Sequence, residues 1–153
     1  MKKLVLLVLL FSLSASTFVT AQAKKSQKEM FATTYHNSKS VVKSQHYQFV
    51  ANAIHDSEQR EMLDGDTNQI RINKLDVTGQ LHGFSKSKAI YTLKDSSSDI
   101  STVFHDEKQQ ISITVKMQAY TISIEVKPNG KAFLTLTGND ITNVKYVGKL
   151  LEI

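Results

Sequence analysis

Cysteine is absent from all 153 residues, and there is a single proline. Without thiols the chain can form no disulfide, no thiolate metal site and no lipidated N-terminal cysteine. Charge of one sign is also lacking. Lys and Arg total 19 against 14 acidic residues, and the excess is spread along the chain rather than clustered. With aromatic residues at 8%, that balance argues against nucleic acid as a partner, because neither a basic patch nor a set of stacking rings is in view. No apolar run is long enough to span a bilayer as a helix. Phosphate loops, dinucleotide-binding glycine motifs and a Gly-x-Ser-x-Gly nucleophile elbow are all missing.

What is present begins with an address. Met1-Lys2-Lys3 is basic, Leu4 to Leu13 is apolar, and small residues follow up to Ala23. That order predicts a secretory signal peptide over residues 1–21, cut after Val19-Thr20-Ala21, or alternatively after Ala21-Gln22-Ala23. Removing 21 of 153 residues leaves 132, one domain's worth, and losing Lys2 and Lys3 lowers the net charge from +5 to +3. The expected product is a periplasmic or secreted protein with no stable membrane anchor.

The stretch from Ile111 to Ile153 organises the rest. Ile111, Ile113, Val115 and Met117 alternate with polar residues, and so do Tyr120, Ile122, Ile124 and Val126. Lys127-Pro128-Asn129-Gly130-Lys131 then supplies a hairpin loop, with Gly130 taking the left-handed conformation. Pairing Lys127 with Lys131 sets Val126 opposite Ala132, Ile124 opposite Leu134 and Ile122 opposite Leu136. All six share one face, and a one-residue slip would put one strand's apolar set into water. A turn at Thr137–Asp140 continues the phase, with Val144 opposite Leu136, Tyr146 opposite Leu134 and Gly148 opposite Ala132. Gly148 inside a strand predicts a bulge or a close backbone approach.

The same residues carry a resemblance. KPNGKAFLTLTGNDITNVKYVGKL resembles the C-terminal signature of the uncharacterised bacterial domain-of-unknown-function family 4251. The matching residues are Gly130, Ala132, Leu134, Val144, Tyr146 and Gly148, and weaker similarity reaches back to about Val42. Asp140 stands where arginine is common in that family, and Leu81-His82-Gly83-Phe84 replaces a Leu-Pro-Tyr-like segment. The resemblance implies export and a β-rich fold, and assigns no activity.

Residues 22–37 read as a flexible or partly helical leader, and residues 38–153 as a single β-rich domain. Spacing alone leaves Ser38 to Ile54 open between helix and strand, and the resemblance implies a short helix near Ser38–Ser44 followed by a strand from about Tyr47. Asp56 to Gln69 reads as a polar connection. Gln69–Asn73 reads as a strand that Leu75–Val77 continues to a turn at Gly79. Ala89–Leu93 and Ile100–Phe104 complete the set. The expected fold is mainly β, a curled antiparallel sheet or barrel-like sandwich of about seven or eight strands with a short N-terminal helix. Taken in sequence order, Val144–Leu150 would be an edge strand. Its apolar tail, Leu150–Ile153, would either fold back to close a barrel with an earlier strand or serve as an attachment site.

Candidate chemistry is sparse. His36, His46, His55, His82 and His105 show no helical metal spacing. His55-Asp56 and His105-Asp106-Glu107 set imidazole beside carboxylate, but strand neighbours point to opposite faces. Asp64-Gly65-Asp66-Thr67-Asn68 resembles the start of a calcium loop and then fails, with Gln69 where glycine and Leu75 where glutamate are needed. No catalytic, cofactor-binding or metal-binding residue is assigned, and no cofactor is expected. An outward row of Ser112, Thr114, Thr121, Ser123 and Thr135 could meet a glycan, and an inner row of Tyr120, Ile122, Leu134 and Tyr146 could line a ligand cavity. The function this supports is non-enzymatic binding of a small apolar ligand, a glycan or an envelope protein. The alternatives are a hydrolase assembled from distant residues and an interaction or inhibitor module using an edge strand.

Overall fold

The computed structural model describes residues 26–153; the expected signal peptide lies outside them. The compact body runs from Phe31 to Ile153. Helix α1, Gln27–Lys43, leads into ten strands: β1 His46–His55, β2 Arg60–Met62, β3 Gln69–Asn73, β4 Asp76–His82, β5 Ile90–Asp95, β6 Asp99–His105, β7 Gln110–Lys116, β8 Tyr120–Val126, β9 Lys131–Gly138 and β10 Ile141–Glu152. All ten join one antiparallel sheet in the order β5-β4-β3-β1-β10-β9-β8-β7-β6, with β2 added beside β1. The sheet curls into a half-barrel. Its two edges, β5 and β6, are consecutive in the chain and do not pair with each other.

The helix starts at a reciprocal cap. Ser26 Oγ accepts the Glu29 N–H at 3.2 Å, and the Glu29 carboxylate accepts the Ser26 N–H at 3.0 Å. It is longer than the Ser38–Ser44 segment anticipated and takes in much of the stretch read as a leader. Tyr35 and Val42 are buried on the same helical face, two turns apart, a pattern too dilute to stand out among the polar residues between them. Gln45, at φ 56°, then turns the chain directly into β1.

The meander forms in the register expected. Val126 pairs with Ala132, Ile124 with Leu134 and Ile122 with Leu136, while Val144, Tyr146 and Gly148 pair with Leu136, Leu134 and Ala132. The Lys127 N–H donates to the Lys131 carbonyl at 2.8 Å, and Gly130 has φ 80°. Gly148 is a close approach: a Cβ there would lie 2.1 Å from the Val50 carbonyl oxygen, beside the β1 bulge between Ala51 and Ala53.

Three expectations change. The strands number ten, because β2 forms within the supposed polar connection and the Gln69–Gly79 strand is really a hairpin. Lys74 takes φ 56° and reverses the chain, and Gly79 lies inside β4, where a Cβ would meet the Gln69 carbonyl oxygen at 2.1 Å. The Val144–Leu150 segment is not an edge: β10 is held by β9 on one side and β1 on the other. Its tail pairs with an earlier strand, Leu150 opposite Phe49 and Glu152 opposite Tyr47, but it closes no barrel, since the edges β5 and β6 stay unpaired.

Candidate functional site

Several of the residues with familiar chemistry are occupied by structural tasks. Asp56 Oδ1 accepts the Glu58 and Gln59 N–H groups, both at 2.8 Å, and these bonds hold its carboxyl below the usual range. Its neighbour His55 lies on β1 above a shallow outer depression with Phe133 and Val147. His105 Nε2 lies 3.1 Å from Ser112 Oγ across the outer face of β6 and β7. His82 lies 3.0 Å through Nδ1 from the Oδ1 of buried Asn68, which also accepts the His82 N–H at 2.7 Å. His36 packs at 5.9 Å against the Tyr35 ring, and His46 is exposed at the start of β1.

The calcium-like stretch is a turn. Asp64 Oδ1 accepts the Asp66 N–H at 3.0 Å, and its carbonyl accepts the Asn68 N–H and the Asn68 amide. No group of three or more metal-ligating side chains is gathered among the described residues. On the outer face, Ser101, Thr114, Ser123 and Thr135 stand in one cross-strand row over β6 to β9. Of the inner row, Ile122, Leu134 and Tyr146 are fully buried in the packed core, Tyr120 packs half-buried against it, and the Tyr146 hydroxyl donates to the His82 carbonyl at 3.0 Å. Burial pushes the Tyr146 phenol upward.

One open cleft lies along the unpaired edge. A cleft of about 330 Å³ is lined by Val42, Lys43 and Gln45 at the end of α1, Tyr47 of β1, Ile72 of β3, the Lys74-Leu75 turn, and Ile100, Thr102 and Phe104 of β6. It follows from the topology. On β7, flanked on both sides, Ile111, Ile113 and Val115 are fully buried. On β6, with no strand on its far side, the inward Ile100, Thr102 and Phe104 are only half-buried. Six of the ten lining residues are apolar or aromatic, no carboxylate lines the cleft, and the two cations, Lys43 and Lys74, are exposed at its rim. Burial pushes the Tyr47 phenol up to about 12, so that wall is neutral in ordinary conditions.

Beside the cleft, α1 is latched to the β6–β7 turn. Asp106 accepts hydrogen bonds from the Lys39 ammonium at 2.5 Å and the Tyr35 hydroxyl at 2.6 Å. Lys39 foremost, then Tyr35, hold the Asp106 carboxyl below its usual range. Burial, followed by the bond to Asp106, raises the Tyr35 phenol to about 12. The Lys39 and Lys43 ammonium groups lie 5.2 and 5.8 Å from the centre of the Phe104 ring, so the latch and the cleft share a side chain.

Neither Lys43 nor Lys74 stands out in the sequence, because the curl of the sheet brings together segments some thirty residues apart. The one legible trace was the alternation Ile100, Thr102, Phe104 on a strand bounded by turns.

A family profile described as Domain of unknown function (DUF4251) matches residues 29–150. Among solved structures, the fold is similar to that of a DUF4251 family protein from Bacteroides eggerthii DSM 20697, solved at 1.95 Å. The two share 20% sequence identity with a TM-score of 0.69, over 82% of this chain and 92% of that one. At that identity the likeness concerns the fold alone. No curated protein matches this sequence.

Proposed function

The chain belongs to the DUF4251 family of domains of unknown function, and on that premise we propose that it is an exported, non-enzymatic binding protein that takes a small, largely apolar ligand in the cleft beside α1. The observation that carries this reading is that the unpaired β6 edge leaves Ile100, Thr102 and Phe104 half-buried facing a cleft, beside a packed core. Small-molecule sites are concave and mostly apolar, with a few polar groups to orient the ligand, at volumes of roughly 300–1,000 Å³. The cleft stands at the small end of that range. Export is supported by the basic, apolar and small-residue order of the first 23 residues.

The hydrolase alternative has less support. Asp56, His82 and His105 are engaged in turn and cross-strand contacts, and no histidine or carboxylate lines this cleft. A neutral, environment-sensitive naphthylamine dye tests the reading. Its emission should rise on mixing with the protein. Thr102→Trp, which fills the cleft from a half-buried edge position, should abolish the rise while leaving the thermal midpoint unchanged. An equal rise with the variant would show that the dye sits elsewhere.

A further inference from the structure

The cleft's charge is as asymmetric as its walls are apolar. Of its ten lining residues, two are lysines and none is acidic. Four carboxylates stand near the lining segments by position in the chain or the sheet. Asp76 follows the Lys74-Leu75 turn, Asp99 precedes Ile100, Glu152 pairs with Tyr47, and Asp106 ends near the latch. None of the four lines the cleft; Asp106 is bound by the Lys39 ammonium and the Tyr35 hydroxyl and attracts Lys43 as the least of its electrostatic partners. Lys43 rests over the Phe104 ring, which orients an ammonium without neutralising it. Lys74 sits in a two-residue turn with φ 56°, so its backbone is set by the β3–β4 hairpin. The two cations therefore reach the rim from separate elements, α1 and the hairpin, with Val42, Tyr47, Ile72, Ile100 and Phe104 between them and the core.

We propose that the cleft selects a free, single-chain amphiphile with an anionic head, such as a medium-chain carboxylate. The inference rests on the reading of the cleft as a binding site and deepens it to a ligand class. The chain lies among the apolar walls, and the head stays at the wet rim between Lys43 and Lys74. Size favours one chain. At ~30 Å³ per non-hydrogen atom, the share of one liquid water molecule, about 330 Å³ holds about eleven atoms, too few for a two-chain lipid.

The test uses the full-length protein and three ligands of equal chain length: decanoate, decanol and decyltrimethylammonium, each below its micelle concentration, followed by calorimetry. Decanoate should bind about five- to tenfold more tightly than decanol, the scale of two rim-exposed ion pairs, and the ammonium should bind more weakly than either. Raising the salt concentration should shrink the preference. Lys43→Met with Lys74→Met should erase it while retaining decanol binding, and Lys43→Glu with Lys74→Glu should reverse its sign. Equal binding of all three ligands overturns the anionic selectivity and leaves the binding reading standing. Failure of all three to bind overturns both. Co-flotation with anionic phosphatidylglycerol vesicles, with monomeric decanoate unbound, would place the lysines on a membrane surface and overturn the free-ligand proposal.

Discussion

Gly148 leaves no room for even one methyl group. Its Cα faces the Val50 carbonyl so closely that a methyl group would sit 2.1 Å from the oxygen, with the Phe49 ring 2.9 Å away. Gly148→Ala must therefore push β10 away from β1, and should lower stability by at least about 2 kcal/mol in denaturant titration. Gly130→Val acts differently, by forcing a β-branched residue into φ 80°, at a cost of about 1–3 kcal/mol. The sequence flags both glycines, one by its turn and one by its place inside a strand, but only the structure shows which atom each one spares. Asp106 makes a third test. Its folded-state carboxyl is held below the ordinary aspartate value of about 3.9, so its contribution is present above that value and lost as pH falls through the depressed one. The thermal midpoint of Asp106→Asn should fall short of the parent at neutral pH, and the gap should close as pH drops well below about 4. A gap that persists in acid would mean that the latch does not act through charge.

At the scale of elements, the hairpins of the C-terminal meander were readable and long-range neighbours were not. Ile111 to Tyr146 follows a period of two with turn residues between, so local pattern alone sets the face and register of β7 to β10. The pairing of β1 with β10 joins residues about a hundred positions apart, and nothing in either stretch names the other. That is why β10 looked like an edge. The β3–β4 turn was also hidden, because Lys74-Leu75 lacks the asparagine or glycine that usually marks a left-handed turn. Since Leu150, Leu151 and Glu152 pair with Phe49, Gln48 and Tyr47, removing Leu150–Ile153 should expose the start of β1. The truncated protein should melt at a lower temperature than the parent, and hydrogen exchange at Tyr47–Phe49 should quicken. Unchanged exchange there would show that β3 alone holds β1.

The half-barrel as a whole ties its stability to buried phenols and its function to its open seam. Tyr35 and Tyr47 ionise near 12 in the fold and near 10 in an unfolded chain. The stabilisation they represent is whole below about 10 and lost as pH rises toward 12, so alkaline unfolding should begin in that interval and shift upward in Tyr47→Phe. The curl that buries these rings also leaves β5 and β6 unpaired, and the cleft is the consequence. Its lining comes from five separate elements, which is why composition and motif searching did not find it. The most direct test is a titration of the isotope-labelled protein with decanoate, followed amide by amide by nuclear magnetic resonance. The shifts should concentrate at Val42–Tyr47, Ile72–Leu75 and Ile100–Phe104, with the β7–β9 meander silent. Shifts confined to the Ser101, Thr114, Ser123 and Thr135 row, or an unchanged spectrum at saturating ligand, would contradict the account.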